Sequence, residues 1–367
     1  MSTLLAATLE HLRALVAIDT RNPPRAIDGA LLFEWLRARL PGFACTMIDH
    51  GAGAVSVLAV RGRPRLLFNV HLDTVPDAPE WSASPFELRL DSERATGLGA
   101  CDIKGAAAAL LAVANTTRGG LALLFSTDEE ANDARCIGAF LRAPPALPDL
   151  RAVIVAEPSG CRAVLAHRGI GSVRMRFRGH GGHASADLAT SDSALHQVVR
   201  WGARALARVE GDAHQRFGGL TGLRFNIGRI EGGIKSNVIA ASAELRFGFR
   251  PLPSMDGDAL LAAFAACAEP AADAYEETFR GPPLPAGGDV EARRLAARDL
   301  ADELGLAIGN AVDFWTEASL FSAAGHSALV YGPGNIAQAH SPDEWVALDQ
   351  LAAYAASVQR IVDDGLA

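Results

Sequence analysis

Six residues spread along the chain, His71, Asp102, Glu129, Glu130, Glu157 and His340, are of the types that ligate divalent metal ions or move protons. Three of the stretches that carry them run a short apolar segment straight into the polar residue. Leu66-Leu67-Phe68-Asn69-Val70 leads into His71, Leu121-Ala122-Leu123-Leu124-Phe125 leads towards Glu129-Glu130, and Ala152-Val153-Ile154-Val155-Ala156 leads into Glu157. Short buried strands ending in such residues are expected where a ligand crevice lies at the carboxyl ends of an α/β sheet. With Asp102 and His340 added, the set has the ligand types and number for two divalent ions acting in hydrolysis.

The elements that must position these residues follow from the pattern between them. A helix over about 103–114 and another over about 133–141, starting at Asp133, each fill a gap between two strands, so crossover connections and parallel pairing are expected. All the carboxyl ends then point the same way, and Asp102 reaches the same rim from the foot of the first crossover helix. After Glu157 the pattern changes. Residues 171–178 alternate Val173, Met175 and Phe177 with polar neighbours, as a strand with one wet face does. Ser191 or Asp192 then caps a helix running to Val209. Strands over about 223–230 and 240–249, a helix over 255–268 and a strand over 275–279 complete a β-α-β-β-α-β order, which is ferredoxin-like. The run Gly281-Pro282-Pro283-Leu284-Pro285-Ala286-Gly287-Gly288 marks the return to the first domain. The expected fold class is therefore α/β: a mixed, mostly parallel sheet flanked by helices over 1–166 and 280–367, with an inserted ferredoxin-like α+β domain over 167–279.

Composition is compatible with this and excludes other classes. A chain of 367 residues that is 49% hydrophobic and 21% charged can bury two cores. Its formal charge of -8 disfavours nucleic acid or an anionic membrane as the main partner, leaving a small metabolite. Leu12, Leu15 and Val16 continue an amphipathic N-terminal helix rather than a signal peptide, and no apolar run approaches the roughly 18 residues a membrane span needs. The five cysteines are scattered without a CxxC pair, which suggests reduced thiols and a cytoplasmic setting; Cys101 reads as a small buried support for its turn.

The motifs His71-Leu72-Asp73, Gly99-Ala100-Cys101-Asp102-Ile103-Lys104-Gly105, Asp128-Glu129-Glu130, Ala156-Glu157-Pro158 and Ala339-His340 resemble the metal-ligand motifs of the M20 metallopeptidase and deacylase family. The resemblance extends over nearly the whole chain. It implies that Asp102 bridges two ions, zinc first and cobalt or manganese as alternatives, with His71 and Glu157 completing one site and Glu130 and His340 the other. It also implies a cis peptide after Asp102. Asp73, two residues beyond His71, would point to the same side of an extended strand and accept the second imidazole N–H. Neighbouring Glu129 and Glu130 diverge at a strand end, so Glu130 is the expected ligand and Glu129 the general base and then acid.

His183, in Gly182-His183-Ala184, resembles the family histidine that stabilises the oxyanion, in some members from a dimer partner; His180 is its rival in the loop. The family's Pro-His continuation is absent from Ser185-Ala186-Asp187. Arg250 and Asn237 resemble carboxylate-binding positions, Arg168 and Lys235 are further candidates, and Glu317 would serve the distal end of a substrate or orient a neighbour. Runs such as Ile18-Asp19-Thr20-Arg21-Asn22-Pro23-Pro24 and Val312-Asp313-Phe314-Trp315-Thr316-Glu317 point, within the family, to removal of acetyl from an N-acetylated amino acid. N-acetyl-L-citrulline is the first expectation and N-acetyl-L-ornithine the second, with other N-acyl amino acids or dipeptides behind them. The resemblance further implies a homodimer and an inserted domain acting in lid closure and dimerisation. An inactive relative that only binds amino-acid derivatives would lack the base or ligands, all of which are present here.

Overall fold

The computed structural model describes the whole chain except residues 1, 25, 26, 28, 132–134, 144–146, 148 and 188–191. Two compact units are distinguished: one built from Met1–Leu165, Glu291–Asn310 and Thr316–Ala367, the other from Ala166–Val290 and Ala311–Trp315.

In the first unit, β1 (Ala44–Asp49), β2 (Val55–Arg61), β3 (Leu66–His71), β6 (Leu121–Ser126), β7 (Ala152–Val155) and β14 (Ser327–Val330) form one sheet in the order β1-β2-β6-β3-β7-β14. The pairs β3/β6, β3/β7 and β7/β14 are parallel, whereas β1 and β2 run antiparallel at one edge. Every residue of β3, β6 and β7 is buried. That is why these strands read as continuous apolar runs rather than alternating ones. The crossover helix Gly105–Thr116 is buried along ten consecutive residues, and its alanines let the helices Thr3–Val16 and Leu348–Asp363 approach closely. A short antiparallel sheet of β4 (Arg89–Leu90), β5 (Arg94–Thr96) and β15 (Trp345–Ala347) lies beside the turn that carries Asp102. The expected helix start at Asp133 falls outside the described residues; the described helix is Arg135–Arg142.

In the second unit, β8 (Ile170–Arg178), β11 (Arg224–Gly232), β12 (Ser242–Arg250) and β13 (Ala274–Gly281) form an antiparallel sheet in the order β11-β12-β8-β13, the ferredoxin-like order. The helices Ala194–Gly211 and Gly257–Ala266 supply Trp201 and Phe264 to a core with Val173, Met175, Phe177, Phe247 and Phe249. Each such side chain contributes about 1.5–3 kcal/mol on burial. The Trp201 indole N–H donates to the Phe264 carbonyl at 2.8 Å, so the ring is buried without an orphaned donor. A small hairpin of β9 (Arg216–Phe217) and β10 (Leu220–Thr221), not expected from the sequence, precedes β11. The helix after β8 begins at Ala194 with Ser193 at its cap position; Ser191 lies outside the described residues.

The boundary differs from the expected 279. His167 forms bridges to Leu284 and to Val312, and the Trp315 indole donates to the Pro282 carbonyl at 3.0 Å. These contacts hold the Pro-rich run through Val290, and the segment Ala311–Trp315, in the second unit.

Candidate metal centre

Because β3, β6 and β7 are parallel neighbours, their carboxyl ends share one rim. His71 closes β3, Glu129 and Glu130 follow β6 in a turn, and Glu157 follows β7 by two residues. Asp102 enters from the turn Ala100–Lys104, where the Asp102–Ile103 peptide is cis. His340 comes from the loop between β14 and β15 and has a φ of 55°. Two groups of potential ligands result: His71, Asp102 and Glu157, all buried, and Asp102, Glu130 and His340, the last exposed; within each group one ligand atom per residue lies within 4.8 Å of the others.

Asp102 is shared in a specific manner. Its Oδ1 stands 3.3 Å from His71 Nε2 and its Oδ2 stands 3.3 Å from His340 Nε2, so each oxygen faces a different imidazole. Glu157 Oε1 is 3.5 Å from His71 Nε2, and Glu130 Oε1 is 3.0 Å from His340 Nε2. Asp102 Oδ1 is buried and has no hydrogen-bond partner among the described residues. A buried carboxylate oxygen without a donor, crowded by further carboxylates and two imidazoles, is the donor chemistry that a pair of divalent cations satisfies.

The charges within the site lead to the same conclusion. Burial, together with the charges of Asp102 and Glu130, lifts Glu157 well above the ordinary carboxylate range against the pull of His71. Burial raises Glu129 in the same way, opposed by His71 and reinforced by Glu130, Glu157 and Glu317. Hydrogen bonds to Asp102 and Glu130 carry His340 up to about 11. A site this rich in acid stores mutual repulsion unless positive charge is supplied.

Behind the ligands lies a layer of buried polar groups. His71 Nδ1 is 3.0 Å from the Asp73 backbone carbonyl and 3.5 Å from Asp73 Oδ1. The main hydrogen bond that turns Nε2 towards the site is thus to the main chain, where the sequence suggested the carboxylate. Asp73 Oδ2 instead accepts from the Glu130 backbone N–H at 3.0 Å and from the Asn22 side-chain amide at 3.1 Å. It thereby links the His71 strand end to the turn bearing Glu130. Asp128 accepts from the backbone N–H groups of Arg135 and Cys136, tying that turn to the following helix. Asn22 was not singled out from the sequence, where it stands only within the run Ile18-Asp19-Thr20-Arg21-Asn22-Pro23-Pro24.

Glu317 is 1% exposed. Its Oε2 accepts from the Asn69 amide at 2.7 Å and the Ser126 hydroxyl at 3.1 Å, so it ties β3 to β6. Of the two readings for Glu317, orienting neighbours is the one its contacts support. Burial, with a contribution from Asp128, pushes its carboxyl up to about 8. Arg168 is also fully buried: it pairs with Asp313 and donates to the carbonyls of Gly222 at 2.6 Å and Thr221 at 2.8 Å. It staples segments of the second unit together.

The other expected residues lie in the second unit. Backbone bonds from Ile239 to Gly182 and from Ala184 to Asn237 zip the loop carrying His183 onto the segment carrying Lys235 and Asn237, all three exposed. His183 Nδ1 is 2.7 Å from the Ser185 hydroxyl, and His180 Nδ1 is 3.6 Å from Asp192. Arg250 closes β12 and is half-buried. Cys101 is buried, with its thiol against the Asn335 carbonyl at 3.4 Å and Gln338 Oε1 at 3.7 Å, as a support for the turn. No helix among the described residues is long and apolar enough to cross a membrane.

Comparison with known proteins adds a family context. The model of peptidase family M20/M25/M40 matches residues 67–364. N-acetyl-L-citrulline deacetylase of Xanthomonas campestris pv. campestris is 65% identical over 367 residues, covering 99% of both chains. Acetylornithine deacetylase of Edwardsiella ictaluri is 31% identical over 380 residues, covering 95% of both. Among solved structures, an M20 family metallo-carboxypeptidase from Sulfolobus solfataricus superposes with a TM-score of 0.78 at 15% identity, covering 99% of both chains. A dinuclear metal-binding peptidase of the same family from Bacillus subtilis gives a TM-score of 0.63 at 13% identity, covering 98% of this chain and 97% of that one.

Proposed function

The chain belongs to peptidase family M20/M25/M40, and from that premise we propose that it hydrolyses the acetyl amide of N-acetyl-L-citrulline to L-citrulline and acetate, as a step in arginine biosynthesis. It is a metal-dependent amidohydrolase. The observation that carries the reaction type is Asp102, whose two oxygens face two separate imidazoles. The name and full-length likeness of the Xanthomonas relative support the substrate.

In this reading His71, Asp102 and Glu157 hold one ion and Asp102, Glu130 and His340 the other, with zinc preferred and cobalt as an alternative. Such ions would lower the pKa of a water molecule and polarise the acyl oxygen. Glu129 takes a proton from the attacking water and delivers it to the departing amine as the C–N bond breaks. Burial raises its affinity for that proton, which suits it to both transfers. His183 offers an N–H to the developing negative charge on the acyl oxygen. Arg250, with its planar fork, receives the substrate α-carboxylate together with Asn237 and Lys235.

The test is a comparison of kcat/KM on N-acetyl-L-citrulline, N-acetyl-L-ornithine and a dipeptide with zinc- or cobalt-reconstituted protein. N-acetyl-L-citrulline is expected to lead. Preferred dipeptide hydrolysis would overturn the deacetylase assignment, and preferred N-acetyl-L-ornithine would replace the ureido side chain by an ammonium.

The same reading takes the enzyme as a cytoplasmic homodimer joined through the second unit, which also serves as a lid. Strand β11 is an edge of its sheet, and Ile230 on it, Ile234 just beyond it, and Val199 and Leu206 on the helix Ala194–Gly211 are exposed. An open edge with apolar neighbours suits a two-fold contact. Light scattering should give twice the chain mass for the wild type and a monomer for Ile230→Asp combined with Leu206→Glu; a monomeric wild type would reject it.

A further inference from the structure

Glu344 is an acidic residue that the reaction does not use, yet it is 1% exposed. Its carboxylate accepts three backbone hydrogen bonds from the turn that carries Asp102. Oε1 takes the N–H groups of Cys101 at 2.8 Å and Asp102 at 2.9 Å, and Oε2 takes that of Gly99 at 3.0 Å. Gly99 sits at a φ of 77°, a left-handed conformation that turns its N–H towards the others. Backbone N–H groups gathered in this way form a nest for an anion. Here the anion is a side chain of the protein itself.

The position of Glu344 is fixed independently. Its backbone carbonyl accepts from the Gly97 N–H at 2.9 Å, and the next residues pair in register as β15 with β5, Trp345 opposite Thr96 and Val346 opposite Ala95. The segment that anchors Glu344 also carries His340, four residues earlier. One carboxylate therefore joins two strands of the site: the turn holding the shared ligand Asp102 and the loop holding His340.

We propose that Glu344 is a positioning residue which holds Asp102 in its bridging orientation relative to His340 and thereby sets how tightly the ion pair is retained. This rests on the two-ion reading of the site. A neutral side chain of the same size accepts from Cys101 and Asp102 through its one oxygen but turns an NH2 group onto the Gly99 N–H. Alanine leaves all three donors to water.

The experiment is a calorimetric titration of the metal-free full-length protein with Zn2+, and in parallel with Co2+ followed by visible absorption, for the wild type, Glu344→Gln, Glu344→Ala and, as a reference for loss of a ligand, His340→Ala. Melting temperatures are recorded for all four. The weaker-held ion is expected to bind about 10–100-fold less tightly in the Glu344 variants, the range typical when a partner of a ligand is removed. The Co2+ absorption bands should shift, with Gln the milder of the two. Unchanged dissociation constants and an unchanged Co2+ spectrum, whatever happens to the melting temperature, would overturn the proposal and leave Glu344 a purely structural residue. Should the alanine variant fail to fold, Glu344→Gln decides alone. A wild type that binds fewer than two ions rejects the two-ion reading instead, so the two failures are distinguishable.

Discussion

Glu129→Gln is expected to lower kcat/KM by about 10²–10⁴-fold, the range lost when a positioned general acid–base group is removed, while ion binding and melting temperature stay close to wild type. The amide keeps the size of the side chain but takes no proton from water. Glu129 belongs to neither group of converging ligand atoms, which is why the loss should fall on the reaction and spare metal content. The pH profile provides a second readout. A base must be ionised to act, so activity falls as the pH drops through its pKa, which burial has raised. That acidic limb should vanish in Glu129→Gln. A variant that retains full activity, or loses its metal in proportion to its activity, sinks the assignment.

Asp102→Ala should be more damaging in a different way. His71 loses the oxygen that faces it and His340 loses the other, and because Asp102 belongs to both ligand groups one substitution breaks both. The shared negative charge that eases repulsion between two dications roughly 3.5–4 Å apart goes as well. Turnover should fall to the uncatalysed background, with most of the bound metal lost in elemental analysis. His340→Ala, which touches one group only, should keep the ion on the His71 side. Retention of two ions per chain by Asp102→Ala would remove Asp102 from its bridging role.

Much of this centre was legible in the sequence because its ligands sit at the ends of strands buried on both faces, which leave an unbroken apolar signature in β3, β6 and β7. The insert was legible for the opposite reason, since β8 and β12 alternate between a core face and a wet one. The residues that hold the ligands in place were harder to see. Glu344 follows Pro342 and Asp343 and reads as a solvated acidic turn until β15 pairs with β5 and brings it to a backbone 242 residues away. Arg168 and Glu317 show the same difficulty: each is of a type that can bind a substrate or brace its neighbours, and each spends its hydrogen bonds within its own unit. Nothing local in a sequence tells a buried carboxylate that braces two strands from one that faces a cleft.

The order of strands in the first unit also bears on synthesis. The sheet is closed by β14 beside β7, and the crossover helix Gly105–Thr116 is covered by Leu348–Asp363 from the far end of the chain. Along the sequence, the second unit is inserted between β7 and β14, with its four main strands all within residues 170–281. On the ribosome, that unit has its sheet available while the first still lacks an edge strand, a covering helix and His340. Contacts of such long sequence separation form late and slowly. The nascent chain therefore has all its hydrolytic residues together only after His340 has emerged.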